Sequence, residues 1–276
     1  WLKQQGFQTA EAVVCDGEEQ IAKAFAKIHG YPIVQKLARG GYDGQGVKVI
    51  HSEDDLKHLW QIPSLFETFV PHAQELTVLV ARNTKGEVAG YDPVATFFND
   101  EGHVLDYLIA PALVPIEVSN RARILAETVI GSLEGVGIYA VELFVTGDNR
   151  LLVNEISARV HNTGTHTLET TETSQYEQHL RAITGKPLGS TKSLAPITVM
   201  RNLLNGVHAL HALENEPPHE KRVGNAVLHW YGKAADRHLR KLGHITATGE
   251  TLEEAWQALA RLEAQLDVQT RDKRAA

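Results

Sequence analysis

Tyr139–His166 reads YAVELFVTGDNRLLVNEISARVHNTGTH, and this stretch decides the fold. Two apolar runs, Ile138 to Val145 and Leu151 to Ile156, flank the turn signal Thr146-Gly147-Asp148-Asn149, which predicts a β-hairpin with largely buried strands. Each strand carries one carboxylate out of keeping with its neighbours, Glu142 and Glu155. A lone Glu in a buried strand is costly unless it is paired or bound to a cation. Two of them on paired strands, with Asn154 beside the second, suggest an oxygen-ligand site for Mg2+, which takes one or two carboxylates and fills its other positions with water and phosphates. The stretch continues into Arg159, His161 and Asn162, a cation and two hydrogen-bonding groups, so the carboxylates run into an anion-binding loop. That order implies phosphate chemistry. The plainer alternative is an exposed hairpin with solvated Glu side chains.

Working outward, a second signal is KLARGGYDGQGV from Lys36 to Val47. Its glycines, Gly40, Gly41, Gly44 and Gly46, let the backbone approach a ligand and turn successive N–H groups toward phosphate oxygens. It is not a Walker loop, because the Gly-Lys-Ser/Thr ending is absent. Lys36 ends a predicted strand just before the loop, where its ammonium could reach a phosphate. A glycine-rich hairpin with a surface Lys is the alternative. The third piece is the apolar strand Leu65 to Val70, which includes Glu67 and Thr68 and is followed by Glu75. Exposed backbone edges on such a strand suit an adenine, and Glu75 could accept from ribose hydroxyls; a simple edge strand is the alternative.

Composition excludes several classes. The 276 residues suffice for one large or two smaller domains, and 43% hydrophobic with 22% charged residues is ordinary for a globular protein. A net charge of −7 argues against nucleic acid as a partner. One cysteine, Cys15, rules out an internal disulfide framework and fits a reducing, cytoplasmic compartment. No apolar run is long enough to cross a bilayer, so no membrane partner is expected. The start, Trp-Leu-Lys-Gln-Gln, does not read as a signal peptide, and the lack of an initiator Met reads as a chain beginning inside a longer parent. The 14 histidines show no spacing that suggests zinc.

Mixed α and β elements are expected along the chain. A helix capped by Asp16 runs through Ile28, and strands follow at Tyr31 to Leu37 and Val47 to Ile50. A helix at Glu53 to Trp60 comes next, then strands at Leu76 to Ala81 and Val88 to Val94. Further helices are expected at Ser119 to Leu133, near Ser174 to Thr184 and at Thr251 to Asp267. Strands are expected at Ile197 to Leu203 and Ala226 to Tyr231, a surface loop at Glu214 to Arg222, and a frayed tail from Gln269.

In this order the three pieces resemble the ATP-grasp superfamily, and more closely its N5-carboxyaminoimidazole ribonucleotide synthase family. The residues carrying the resemblance are GYPIVQKLARGGYDGQGV, FETFVPHAQELTVLVARN, GVGIYAVELFV, LLVNEISARVHNTG, TSQYEQHLRAITGKPLG, VLHWYGK and RKLGH, from Gly30 to His244. The resemblance implies an α+β fold in which two lobes grip ATP, with a small lobe and glycine lid at 1–75, a large lobe with the metal site at 76–190, and a small β-rich C-terminal lobe at 191–276. It also implies a preceding α/β domain of about a hundred residues that this sequence does not contain. The activity implied is ATP- and bicarbonate-dependent carboxylation of aminoimidazole ribonucleotide, by a homodimer. ATP would contact Lys36, Gly41, Gly44, Glu67, Thr68, Val70, Glu75 and Asn154, and Mg2+ or Mn2+ would contact Glu142 and Glu155. Arg159, His161 and Asn162 would surround bicarbonate and the reacting phosphate. Tyr42 and Asp43 would face the ribonucleotide, and Lys233, Arg240 and Lys241 would hold its phosphate. Asp43 and His161 are candidate general bases.

The chain departs from the family pattern where Gln45 replaces a lid cation and where Leu239 stands in place of Gly before Arg240-Lys241. Two alternatives stay open: a truncated or non-catalytic ATP-binding remnant, or another ATP-grasp carboxylate-amine ligase.

Overall fold

The computed structural model describes residues 1–41, 46–210, 218–266 and 268–270. They form two compact units, one of Trp1–Gln74, Asp100–Val104 and Phe144–Asn154, the other of Glu75–Asn99, Leu105–Leu143 and Glu155–Ala276.

The first unit holds β1 (Ala12–Cys15), α1 (Glu19–His29), β2 (Ile33–Leu37), β3 (Val47–Ile50) and β4 (Ser64–Thr68), the strands forming an antiparallel sheet in the order β1-β4-β2-β3. Apolar residues from helix and sheet, among them Ala22, Phe25, Ile33, Ile50 and Phe66, make its core. Between core residues the buried Gln35 side chain donates to Trp60 O and Ser64 Oγ and accepts from Trp60 N–H, so its burial leaves no orphaned amide. Glu18, not Asp16, occupies the N-cap position, and it makes no side-chain capping bond to the helix. Gly17 is the reason: it sits at φ +90, and a Cβ there would lie 2.1 Å from Trp60 O, so the chain turns sharply before the helix starts. Glu53–His58 is a 3-10 turn, shorter than the expected helix, closed by a capping box between Ser52 and Asp55.

The second unit is built on a large sheet, whose β9–β10 end, residues Phe144–Asn154, is counted with the first unit. Its strands are β5 (Gln74–Arg82), β6 (Val88–Gly90), β7 (Val94–Phe98), β8 (Leu105–Ala110), β9 (Gly137–Val145), β10 (Leu151–Ser157) and β11 (Ile197–Leu204), with β12 (His208–Leu210) forming a separate pair, then β13 (Glu220–Val223), β14 (Ala226–Trp230), β15 (Lys241–Gly249) and β16 (Val268–Thr270). The sheet order is β10-β9-β5-β7-β8-β11-β15-β14-β13, with β6 beside β5, and β12 pairs β16. The expected Val88–Val94 strand is two strands, interrupted at Pro93, whose ring cannot donate to a ladder. Part of the expected 214–222 loop is β13, which pairs with β14, and Gln269 of the expected frayed tail lies in β16. Helices α2 (Ile116–Gly131), α3 (Thr167–Thr170), α4 (Gln175–Ile183) and α5 (Leu252–Gln265) complete the unit. In α5 the residues Ala255, Ala258, Leu259 and Leu262 recur at helical spacing and pack on Leu228, Leu242, Ile245 and Ala247 of β14 and β15. Ser174 and Thr251 cap α4 and α5, their side chains accepting from the Glu177 and Glu254 N–H groups.

Candidate active site

Strand pairing positions Lys36 in the first unit. It stands on β2 opposite Leu65 of β4, while Glu67 stands opposite Val34, so Lys36 and Glu67 are diagonal neighbours on one sheet face. The ammonium lies 2.7 Å from Glu67 Oε2 and donates to Asn154 Oδ1 at 2.8 Å. Two oxygens on a lysine that keeps 25% of its side chain exposed hold it extended, with hydrogen-bonding capacity left over. Thr68 is committed to the backbone, its N–H donating to Glu11 O and its Oγ1 accepting from Glu11 N–H. The strand expected to offer free edges is interior, with β1 on one side and β2 on the other; Phe69 and Val70 lie beyond its paired residues. Gly41 is described, whereas Tyr42, Asp43 and Gly44 lie outside the described residues.

The hairpin β9–β10 forms where expected. Its carboxylates are less buried than the apolar runs predict: the Glu142 side chain is 21% exposed and Glu155 is exposed. The reason lies in the pattern around them. Burial in β9 is continuous through Val141 and alternates from Glu142 onward, and β10 runs out into exposed residues 158–160. Glu155 Oε1 receives only a long 3.5 Å bond from Ser157 Oγ. Glu142 Oε1 lies 3.5 Å from His161 Nε2. His161 Nδ1 meets Thr163 Oγ1 at 2.8 Å and lies 3.5 Å from the Thr163 backbone nitrogen, which leaves Nε2 facing the Glu142 carboxylate.

Two residues that sequence reasoning used only as family markers, or not at all, fix this loop. Gln175, fully buried in the first turn of α4, accepts from the His161 N–H at 2.9 Å and donates to His161 O at 2.7 Å. Asn202, buried on β11, exchanges two amide hydrogen bonds with Asn162 and also donates to Leu105 O. The Asn162 amide is thereby engaged in positioning the loop. Arg159 is exposed and donates to Val160 O. Glu75 stands on β5 opposite Thr96, its carbonyl accepting from Thr96 Oγ1.

The second cationic group is a loop after β14. Lys233 lies 4.8 Å over the Tyr231 ring, Arg240 pairs with Asp236, and Asn205 holds the loop through the Ala235 and Arg237 carbonyls. Leu239 adopts φ 59, a left-handed conformation that costs a branched residue about 1–2 kcal/mol, whereas Gly adopts it freely. Leu239→Gly is therefore expected to raise stability by about 0.5–1 kcal/mol, the larger strain relief exceeding the added freedom of the unfolded chain. Urea midpoints of the two proteins measure this; a lower midpoint for the glycine variant would contradict it.

An anchored lysine ahead of a glycine loop, with a carboxylate-bearing hairpin, defines a nucleotide-grasping protein. A sequence profile for the ATP-grasp domain matches residues 1–176, and the chain belongs to the ATP-grasp family. A second profile, the phosphoribosylaminoimidazole carboxylase C-terminal domain, matches residues 198–258. The chain is similar to the N5-carboxyaminoimidazole ribonucleotide synthase of Synechococcus elongatus, 38% identical over 245 residues that cover 85% of this chain and 61% of the relative. Among solved structures it resembles the Thermotoga maritima N5-carboxyaminoimidazole ribonucleotide synthetase, with TM-score 0.78, 37% identity and coverage of 96% of this chain and 68% of that one. It also resembles the Aspergillus clavatus N5-carboxyaminoimidazole synthase in complex with ADP and 5-aminoimidazole ribonucleotide, with TM-score 0.82, 28% identity and coverage of 96% and 71%. The chain thus spans about three fifths of the Synechococcus relative's length.

Proposed function

We propose that this chain is the catalytic part of an ATP-dependent carboxylating ligase that converts 5-aminoimidazole ribonucleotide and bicarbonate into N5-carboxyaminoimidazole ribonucleotide. The observation that carries this reading is Lys36 held by Asn154, whose chain neighbour Glu155 offers an exposed carboxylate. Its setting is the similarity to synthases of that reaction, one of them solved with ADP and the ribonucleotide.

In the reaction, bicarbonate oxygen attacks the γ-phosphorus of ATP, the bond to the β,γ-bridging oxygen breaks, and ADP and carboxyphosphate form. The exocyclic amine then takes up the carbon, releasing phosphate. Lys36, with Glu67 and Asn154 fixing its direction, binds phosphate oxygens and offsets charge developing on the γ-phosphoryl group. Glu142 and Glu155 present the hard oxygen donors that suit Mg2+ or Mn2+, and such an ion, when bound, neutralises phosphate charge. Arg159 and His161 hold the bicarbonate and phosphate anions, with Gln175 fixing the His161 backbone. Asp43 and His161 are the two candidates for the base that takes the proton from the amine. Val70 and Glu75 serve adenine and ribose, and Lys233, Arg240 and Lys241 bind the ribonucleotide phosphate, a dianion that needs several cations. Among the described residues no helix is long and apolar enough to cross a membrane. A cytoplasmic homodimer belongs to the same reading.

ADP release from Mg-ATP and bicarbonate, with and without 5-aminoimidazole ribonucleotide, tests it. Release that rises severalfold with the ribonucleotide is expected. Absence of both turnover and nucleotide binding would overturn it.

A further inference from the structure

A second cluster of ligand-type side chains lies away from the hairpin carboxylates, in the second unit. His229 on β14 and His244 on β15 are directly opposed in an antiparallel pair, so both side chains leave the same sheet face. Their rings stack at 4.8 Å between centroids with 21° between planes. From α3, Glu169 reaches the same point, its Oε1 lying 2.5 Å from His229 Nε2. One donor atom from each of the three residues lies within 4.8 Å of the others.

We propose that Glu169, His229 and His244 form a binding site for a divalent transition-metal ion of the zinc class. The strongest support is what the protein leaves unpaired. Glu169 Oε2 and His244 Nε2 are both buried without a hydrogen-bond partner, and His244 is only 1% exposed. An orphaned buried polar atom is expensive, and two of them within one three-residue cluster describe a place prepared for something that accepts lone pairs. His244 Nδ1 is meanwhile 2.7 Å from the Tyr231 hydroxyl. With Nδ1–H donating to that oxygen, Nε2 presents its lone pair, the outer-sphere arrangement that orients a ligating histidine. Burial keeps His244 neutral, its pKa pushed down to about 3, and the neutral imidazole is the ligating form.

The donor set selects the ion. Two imidazole nitrogens and one carboxylate oxygen suit zinc, which is bound by His at about 2.0–2.1 Å, whereas magnesium and calcium take oxygen donors. Donors around a tetrahedral zinc stand about 3.3 Å apart, so small side-chain rotations suffice to close the triangle. The ion takes the place of the hydrogen bond between Glu169 and His229, with the His229 ring proton carried on Nδ1. The result is a clamp tying α3, at the end of the His161 loop, to the β14–β15 pair, and it does not depend on the nucleotide site.

The test is equilibrium dialysis of chelator-stripped protein against Zn2+, with metal analysis and a thermal melt. One tightly held zinc per chain and a raised Tm are expected. Glu169→Gln and His229→Gln are each expected to weaken that binding at least a hundredfold, while His58→Gln, at an exposed site, leaves it unchanged. Because His244 is deeply buried, the proposal is judged on the other two variants, with urea midpoints in chelator confirming that they fold. Zinc held equally by wild type and both variants would overturn the proposal. So would zinc lost on Glu155→Ala but kept by Glu169→Gln, or no zinc at all.

Discussion

Replacing Glu155 with alanine is expected to lower ATP-dependent ADP release by about a hundredfold or more, the scale seen when a preorganised charge partner is removed from a reacting anion. The argument rests on how little else Glu155 does. It is exposed, and its 3.5 Å contact with Ser157 is too long to carry much stability. Its chain neighbour Asn154 binds Lys36, which puts the Glu155 carboxylate beside the proposed phosphate-binding lysine. The substitution should therefore leave the urea midpoint within about 0.5 kcal/mol of the parent, as for other surface changes. ADP release and chemical denaturation on the same preparation separate the two effects. A variant that keeps more than a tenth of the parent's turnover would remove Glu155 from the proposed metal and phosphate site.

The largest stability effect is expected at Arg201. Its Nη1 donates to both carboxylate oxygens of Glu263, at 3.0 and 3.3 Å, and its guanidinium lies 4.9 Å over the Trp256 ring. The two charged side chains are 18% and 12% exposed. Asp106 completes the cluster. Burial raises the pKa of both Asp106 and Glu263, and Arg201 opposes that rise in each. Arg201→Met keeps the apolar stem but leaves two half-desolvated carboxylates facing one another. Breaking such a pair costs about 3–5 kcal/mol, which in a chain of this size lowers Tm by roughly ten degrees. The sign of its pH dependence follows. With the arginine gone, the folded-state pKa values of the carboxyls stand further above their unfolded values. The relief that protonation brings is then fully present below the unfolded pKa and is lost as pH rises through the folded one. Urea midpoints should thus show a smaller deficit at pH 5 than at pH 8. Equal deficits at both would mean that Asp106 and Glu263 do not titrate as a desolvated pair of neighbours would.

Local signals were read correctly where a single element contained them. The turn at Thr146–Asn149 produced its hairpin, and Ser174 and Thr251 cap the helices they precede. Lys36 lies near the end of β2 before the glycines, and the partners it meets are Glu67 and Asn154 of the protein itself. Errors came where a distant residue decides. Asp16 looks like a cap, but Gly17 is forced into a turn by the Trp60 carbonyl. β15 went unread because KLGHITATG alternates weakly and carries His and Thr, yet it lies between β11 and β14 with Leu242, Ile245 and Ala247 in the core. The 3-10 turn at Glu53–His58 carries the capping box of a helix without its length.

By itself the sequence determined the family and the α+β class, and it supplied the residue types of the proposed site: a lysine before glycines, two carboxylates on a hairpin, and a cationic loop. These are matters of local order and short spacing, which a chain displays before it folds. Only the tertiary structure decided which groups are held and which stay available. Gln175 brackets the His161 backbone, Asn202 locks Asn162, and Glu169 reaches two histidines that strand register sets side by side. Such partners lie from 14 to 75 residues apart in the chain, the larger figure being Glu169 to His244 (244 − 169). Their meeting depends on strand register and helix packing, which depend on long-range burial, and no local pattern encodes it.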